Sequence, residues 1–170
     1  ATTYYVPDGA PPASGWPAVM LLHGLGGSRN AGTPFGMSLN SLAETQLALQ
    51  GYAALTFDAR GHGQSEGLVS IDGPREIQDV RELFNWLAAQ PGINGQRIGA
   101  FGYSYGGGAI WRATAEGVPF AALEPAIRAA QELPRLHSLL VSRRGELILE
   151  RYFNGRRATT PANVKSVSKS

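Results

Sequence analysis

The 170-residue chain contains no cysteine, which excludes disulfides, thiolate nucleophiles and cysteine-ligated zinc. No run approaches the roughly 18 consecutive apolar residues of a membrane span, so no membrane partner is expected. Ala1–Pro12 lacks the basic and apolar regions of a signal peptide. A soluble protein is expected, either cytoplasmic or secreted after signal removal. Histidine is scarce, with three in all, and no aspartate follows residue 104. Internal repeats and low-complexity stretches are also missing. What is present is an ordinary apolar fraction of 43%, enough for one compact core.

The net charge of +2 conceals an asymmetry. Residues 1–127 carry six arginines against ten acidic residues, a net −4, whereas residues 128–170 carry nine basic residues against three glutamates, a net +6. The basic positions of the tail alternate with strand-like apolar ones and do not cluster on one face. This argues for a composition break between two segments and against a nucleic-acid surface.

Up to about residue 125 the pattern alternates strands and helices. Ala18–Leu22 is an apolar run ending in His23-Gly24-Leu25-Gly26-Gly27. Ser41–Gln50 reads as a helix that Gly51 terminates. Tyr52–Phe57 is the next run, closed by Asp58-Ala59-Arg60-Gly61-His62-Gly63. Pro74 suits the first turn of a helix through Gln90, with Ile77, Val80, Phe84 and Leu87 on one face. Arg97–Tyr103 predicts a strand, Gly106–Glu116 a helix and Val118–Leu123 a last strand. Strands separated by helices imply a mostly parallel α/β sheet covered on both faces, with its site at the carboxyl ends of the strands.

Beyond Pro125 the style changes. Ala126–Glu132 suggests a short helix, and Leu136–Ser142 and Glu146–Phe153 are β-prone runs joined by Arg143-Arg144-Gly145, a hairpin signal. The expected organisation is a hydrolase-like domain over 1–125 with an appended helix–hairpin segment over 126–170.

Gly102-Tyr103-Ser104-Tyr105-Gly106 fits G-x-S-x-G between a strand and a helix. A serine on so sharp a turn needs glycine neighbours, and its hydroxyl then projects from the sheet edge. The following helix offers free N–H groups to a developing oxyanion. The backbone N–H groups of Leu25 and Tyr105 are the expected oxyanion hole. His23 precedes the serine and reads as a brace for its loop. Asp58, Arg60 and His62 read as a structural loop, with Asp58 bonded to turn amides.

Four ordered motifs carry a resemblance: Leu21–Gly27, Leu55–Gly63, Asp72-Gly73-Pro74-Arg75-Glu76 and Gly102–Gly107. From Trp16 to Pro125 the chain resembles α/β-hydrolases of the X-Pro dipeptidyl-peptidase and cocaine-esterase type. The resemblance implies acyl-ester or amide hydrolysis through an acyl-enzyme, on a small-molecule ester substrate, with no metal or organic cofactor. It also requires an acid and a histidine after the nucleophile. The histidine after Ser104 is His137, and Glu124 ends the strand expected next in the chain after the elbow strand. Ser104, His137 and Glu124 form the candidate triad, set against a structural His137 and a surface Glu124.

The tail resembles another family. Leu136–Val141 and Gly145–Phe153 look like the opening hairpin of penicillin-binding-protein-like β-lactamases and esterases, and Ser166-Val167-Ser168-Lys169 resembles their S-x-x-K element. The rest of such a domain is absent, so a second working site is not expected. The plainest reading is a fusion of two truncated hydrolase pieces. The expected fold is a truncated α/β-hydrolase-like sheet with flanking helices plus a C-terminal β-hairpin. A bare sheet edge and a lone hairpin would favour a homo-oligomer. The rival to a carboxylesterase is a catalytically impaired chimera with a structural or assembly role.

Overall fold

A computed structural model describes residues 1–121, 138–143, 146–152, 154–157 and 159. Contacts divide the chain into two compact units, Ala1–Ala121 and Ala122–Ser170.

The first unit is built on a four-stranded sheet. Its strands are β1 (Thr2–Tyr5), β2 (Trp16–Leu22), β3 (Ala53–Phe57) and β4 (Ile93–Gly102), in the order β1-β3-β2-β4. β2 pairs in parallel with β3 and with β4, whereas β1 runs antiparallel to β3. β3 is buried at every position, as expected of a central strand covered on both faces.

Between β2 and β3 runs an irregular helical segment. It comprises α1 (Leu39–Leu42), a π-helical stretch Ala43–Leu47 and a 3₁₀ turn Ala48–Gln50. Ser38 caps it by accepting the Ser41 N–H, and Gly51 ends it in the left-handed conformation at φ 81°. α2 (Pro74–Ala88) and α3 (Tyr105–Ala115) flank β4 in the chain.

The two faces are packed separately. Ile77, Val80, Phe84 and Leu87 of α2, with Ala109 and Ala113 of α3, bury against Met20, Leu22, Leu55, Phe57 and Ile98. On the opposite face Leu39 and Ala43 bury against Leu21 and Ala54. The amphipathic stripe of α2 therefore points where its spacing predicts.

Three boundaries differ from expectation. β1 is an additional short edge strand. β4 begins at Ile93, four residues early, because its polar start Asn94–Arg97 carries no apolar run. Val118–Ala121 is not a strand. Pro119 has no N–H to give, and the Phe120 N–H turns back to the Val118 carbonyl at 3.0 Å. One ladder-like contact survives there, from the Ala121 N–H to the Ile98 carbonyl at 2.8 Å. Leu123 and the expected helix at 126–132 lie outside the described residues.

In the second unit β5 (Ser138–Arg143) and β6 (Glu146–Tyr152) pair antiparallel, with a register shift between Val141 and Ser142. This is the hairpin that the two β-prone runs predict.

Strand order places the site. The chain steps from β2 to β3 on one side, then crosses back to β4 on the other. The carboxyl end of β2 is thus a topological switch point, where two loops part and leave a crevice.

The loop after β3 is held by a buried carboxylate. Asp58 accepts the Arg29 N–H at 2.7 Å and the Gln64 N–H at 2.9 Å, and it pairs with the Arg29 guanidinium. Arg29 also reaches Gln64 Oε1 at 2.7 Å and Thr3 Oγ1 at 3.1 Å. Burial raises the Asp58 pKa, but these donors outweigh it and hold the group below its ordinary value. Its contribution is therefore present above about pH 4 and is lost as pH falls through the depressed folded value. Asp58→Ala is expected to cost about 3–5 kcal/mol in urea denaturation, since it strands the Arg29 charge. The variant should also show a shallower loss of stability on acidification than the parent chain.

Candidate active site

The last paired residues of β2 and β4 are Leu22 and Gly102. The chains that leave them, His23-Gly24-Leu25 and Tyr103-Ser104-Tyr105, therefore start side by side. Ser104 lies between β4 and α3 at φ 54°, ψ −121°, a backbone region that L-residues rarely occupy, and it is exposed.

The glycines around Ser104 are explained by contact. A Cβ at Gly102 would stand 2.6 Å from the Gly106 backbone. One at Gly106 would stand 2.6 Å from the Leu22 carbonyl oxygen and 2.7 Å from that of His23. α3 thus begins against the backbone at the end of β2, and a side chain at either glycine would push the turn open. The Gly106 N–H closes the turn on the Tyr103 carbonyl at 3.1 Å. Tyr105 is the first residue of α3, where the helix itself offers no acceptor for the N–H.

Opposite Ser104, Gly24–Gly27 forms a turn closed by the Gly27 N–H on the Gly24 carbonyl at 3.0 Å, with Gly26 at φ 73°. Leu25 sits at its tip, exposed. His23 braces this turn as its chain position suggests. Its Nδ1–H donates to the Gly24 carbonyl at 2.8 Å, and its Nε2 accepts the Ala59 N–H at 3.0 Å. That bonding fixes the neutral tautomer. Burial lowers the His23 pKa, and His62 adds to this against opposing effects of the Gly24 carbonyl and Asp58. An imidazole with both nitrogens committed to the backbone has none left for Ser104.

His62 is buried too, its Nδ1–H donating to the Arg60 carbonyl at 3.0 Å. Its ring packs 5.1 Å from that of His23 and 5.4 Å from that of Tyr105, measured between centroids. Arg60 ties the same loop to α2 through two bonds to Asp79, at 3.0 and 2.6 Å. The cavity among these groups has room for about one water, about 10 Å³. A substrate has to approach from the open side of Ser104. His137 and Glu124 lie outside the described residues, as do Ser166 and Lys169.

Glu76, which the sequence reading named only as part of a motif, anchors the base of the site. It is 4% exposed and accepts four hydrogen bonds. The donors are Ser70 N–H (2.8 Å), Ser70 Oγ–H (3.0 Å), Gly73 N–H (2.6 Å) and Tyr105 O–H (2.8 Å). Burial pushes its pKa up, but these donors hold it below the ordinary value. The bond to Gly73 is the glutamate half of a capping box, readable from its place three residues after the N-cap.

With the geometry in place, the X-Pro dipeptidyl-peptidase (S15 family) model matches residues 1–133. The chain belongs to that family. The 31.7 kDa protein of the traX-finO intergenic region of Escherichia coli is 36% identical over 117 residues, covering 68% of this chain and 37% of that protein. The esterase Pf2001 of Pyrococcus furiosus superposes with a TM-score of 0.51 at 32% identity, over 61% of this chain and 38% of that one. A CocE/NonD family hydrolase from Staphylococcus aureus shares the fold, with a TM-score of 0.54 at 21% identity, over 71% of this chain and 23% of that one. The fold is that of α/β-hydrolases, and this chain spans little more than a third of the E. coli relative's length.

Asp72 lacks the complete anchoring that Glu76 and Asp58 have. Together with Ile71 it adopts positive φ, at 57° and 51°. Its Oδ1 is buried without a partner among the described residues, while its carbonyl accepts from Arg112 at 2.6 Å. Burial, reinforced by Glu76 and opposed by Arg112, raises its pKa to about 6. Between about pH 4 and pH 6 the unfolded chain ionises this group before the folded one does, so folding stability falls across that window as pH rises. Asp72→Asn keeps a residue tolerant of positive φ. Chemical denaturation should find it about 1–2 kcal/mol more stable than the parent at pH 8, with no gain below about pH 4.

Proposed function

We propose that the chain is a serine hydrolase, a carboxylesterase acting on short acyl esters through an acyl-enzyme on Ser104. The observation that carries this reading is the exposed Ser104 held at φ 54°, ψ −121° between β4 and α3. The esterase fold of the Pyrococcus relative supports it.

In this reading Ser104 Oγ attacks the ester carbonyl carbon while a histidine takes its proton. The oxyanion is received by the N–H groups of Leu25 and Tyr105, both preorganised by their turns. The tetrahedral intermediate collapses, the alcohol leaves with the returned proton, and water then releases the acid by the same steps. His137 is the base by elimination, because His23 has both ring nitrogens bonded to the backbone. Glu124 orients His137. An acyl transfer of this kind asks nothing of a metal or an organic cofactor.

Past residue 133, where the family match ends, we take the chain as the start of a second hydrolase of the penicillin-binding-protein-like kind, joined to the first. Among the described residues β4 has a neighbouring strand on one side only, and β5–β6 is a two-stranded hairpin. These features support self-association through the sheet edge or the hairpin.

A second reading has its own support. The two described histidines both bond to loop backbone. A catalytically impaired chimera with a structural or assembly role fits that observation. Turnover of p-nitrophenyl butyrate separates the two. The carboxylesterase reading expects Ser104→Ala and His137→Ala each to lose at least about 10³-fold in kcat, with His62→Ala retaining most of it. Unchanged turnover in Ser104→Ala would overturn it, and absence of turnover in the parent chain favours the chimera.

A further inference from the structure

Phe35 is a large aromatic side chain left 58% exposed. It belongs to neither the sheet nor its helices. Single exposed apolar residues are common on protein surfaces. Three observations set this one apart.

The first is that its backbone is pinned. The Phe35 N–H donates to Thr33 Oγ1 at 3.2 Å, and Thr33 Oγ1–H donates to the Met37 carbonyl at 2.6 Å. The Thr33 N–H donates to that same carbonyl at 3.1 Å, and the Gly36 N–H returns to the Thr33 carbonyl at 3.0 Å. The ring is thus presented on a closed five-residue turn.

The second is its packing. The ring stands edge-on to Tyr103, with centroids 5.7 Å apart and planes at 87°, and to Phe101 at 5.6 Å and 60°. Such edge-to-face contacts are favourable and orient a ring. The third is its location. Tyr103 immediately precedes Ser104, and its ring lies so close to Gly24 that a Cβ there would meet Tyr103 Cε2 at 2.7 Å. Phe35, from the loop after β2, is therefore packed on the residue that immediately precedes Ser104 at the end of β4.

We propose that Phe35, seated on Tyr103 beside Ser104, is a specificity-determining residue that covers the apolar acyl chain of the substrate. This rests on the esterase reading above and narrows its substrate class to esters with an apolar acyl group longer than acetyl. A rigid ring pays little ordering entropy when a flexible chain lies against it.

Ser104→Ala in the full chain separates binding from chemistry. Equilibrium binding of p-nitrophenyl hexanoate and p-nitrophenyl acetate to that variant reads the surface directly. The hexanoate ester should bind about tenfold more tightly, as four added methylenes partly removed from water require. Adding Phe35→Ala should bring the ratio to within about threefold, and Phe35→Leu should fall between. Thermal unfolding of each variant checks folding, with only a small decrease expected from the lost ring contacts to Phe101 and Tyr103. No preference for hexanoate, or the same preference without Phe35, would overturn the proposal. Turnover by the parent chain is scored separately. If neither ester is hydrolysed while the Phe35-dependent preference holds, the catalytic reading fails and the binding surface stands.

Discussion

One steric fact organises the site: nothing larger than hydrogen fits at the Cα of Gly106. The first turn of α3 lies against the carbonyl oxygens of Leu22 and His23, at distances that leave no room for a methyl group. That contact brings the start of α3 onto the end of β2, and Ser104 takes up the remaining bend at positive φ. The paired ends of β2 and β4 start the Gly24–Gly27 turn and the Ser104 turn side by side. The glycines at 102 and 106 follow from this close approach of two backbones.

Beneath it the site is held by buried charge fully met by donors. Glu76 ties the N-terminus of α2, the 70–73 loop and Tyr105 to one carboxylate. Asp58 does the same for the loops after β2 and β3. His23 adds a neutral link between those loops. These groups are positioning residues, because each acts through backbone that it holds. Burying them is tolerable only because their partners are complete, and removing one partner leaves a charge in a low-dielectric interior. Asp72, by contrast, keeps an oxygen unmet among the described residues and a raised pKa close to the same helix.

Much of this is legible in the sequence because it is local. Apolar runs locate β2 and β3 and helical spacing locates α2 within a few residues, and G-x-S-x-G marks Ser104 by the strand before it and the helix after it. β1 escapes because a four-residue edge strand buries too little to leave an apolar pattern. The start of β4 escapes because Asn94–Arg97 are polar, unburied, and lie where the pairing with β2 shifts register between Ile93 and Ile98. The roles of Glu76 and Phe35 depend on residues about 30 to 70 positions away, Tyr105 and Tyr103, and single-chain spacing is silent on such contacts. The acid–base partners are the least legible part. The family's pattern calls for a histidine and an acid after the nucleophile, and no motif around His137 or Glu124 ties either one to Ser104.

The most direct test of the central claim is chemical modification of the full chain with a fluorophosphonate, located by mass spectrometry. A serine set in this turn beside paired N–H groups is expected to form a single adduct, on Ser104. Equal labelling after Ser104→Ala, an adduct on Ser166 in its place, or no adduct on the parent chain would contradict the account.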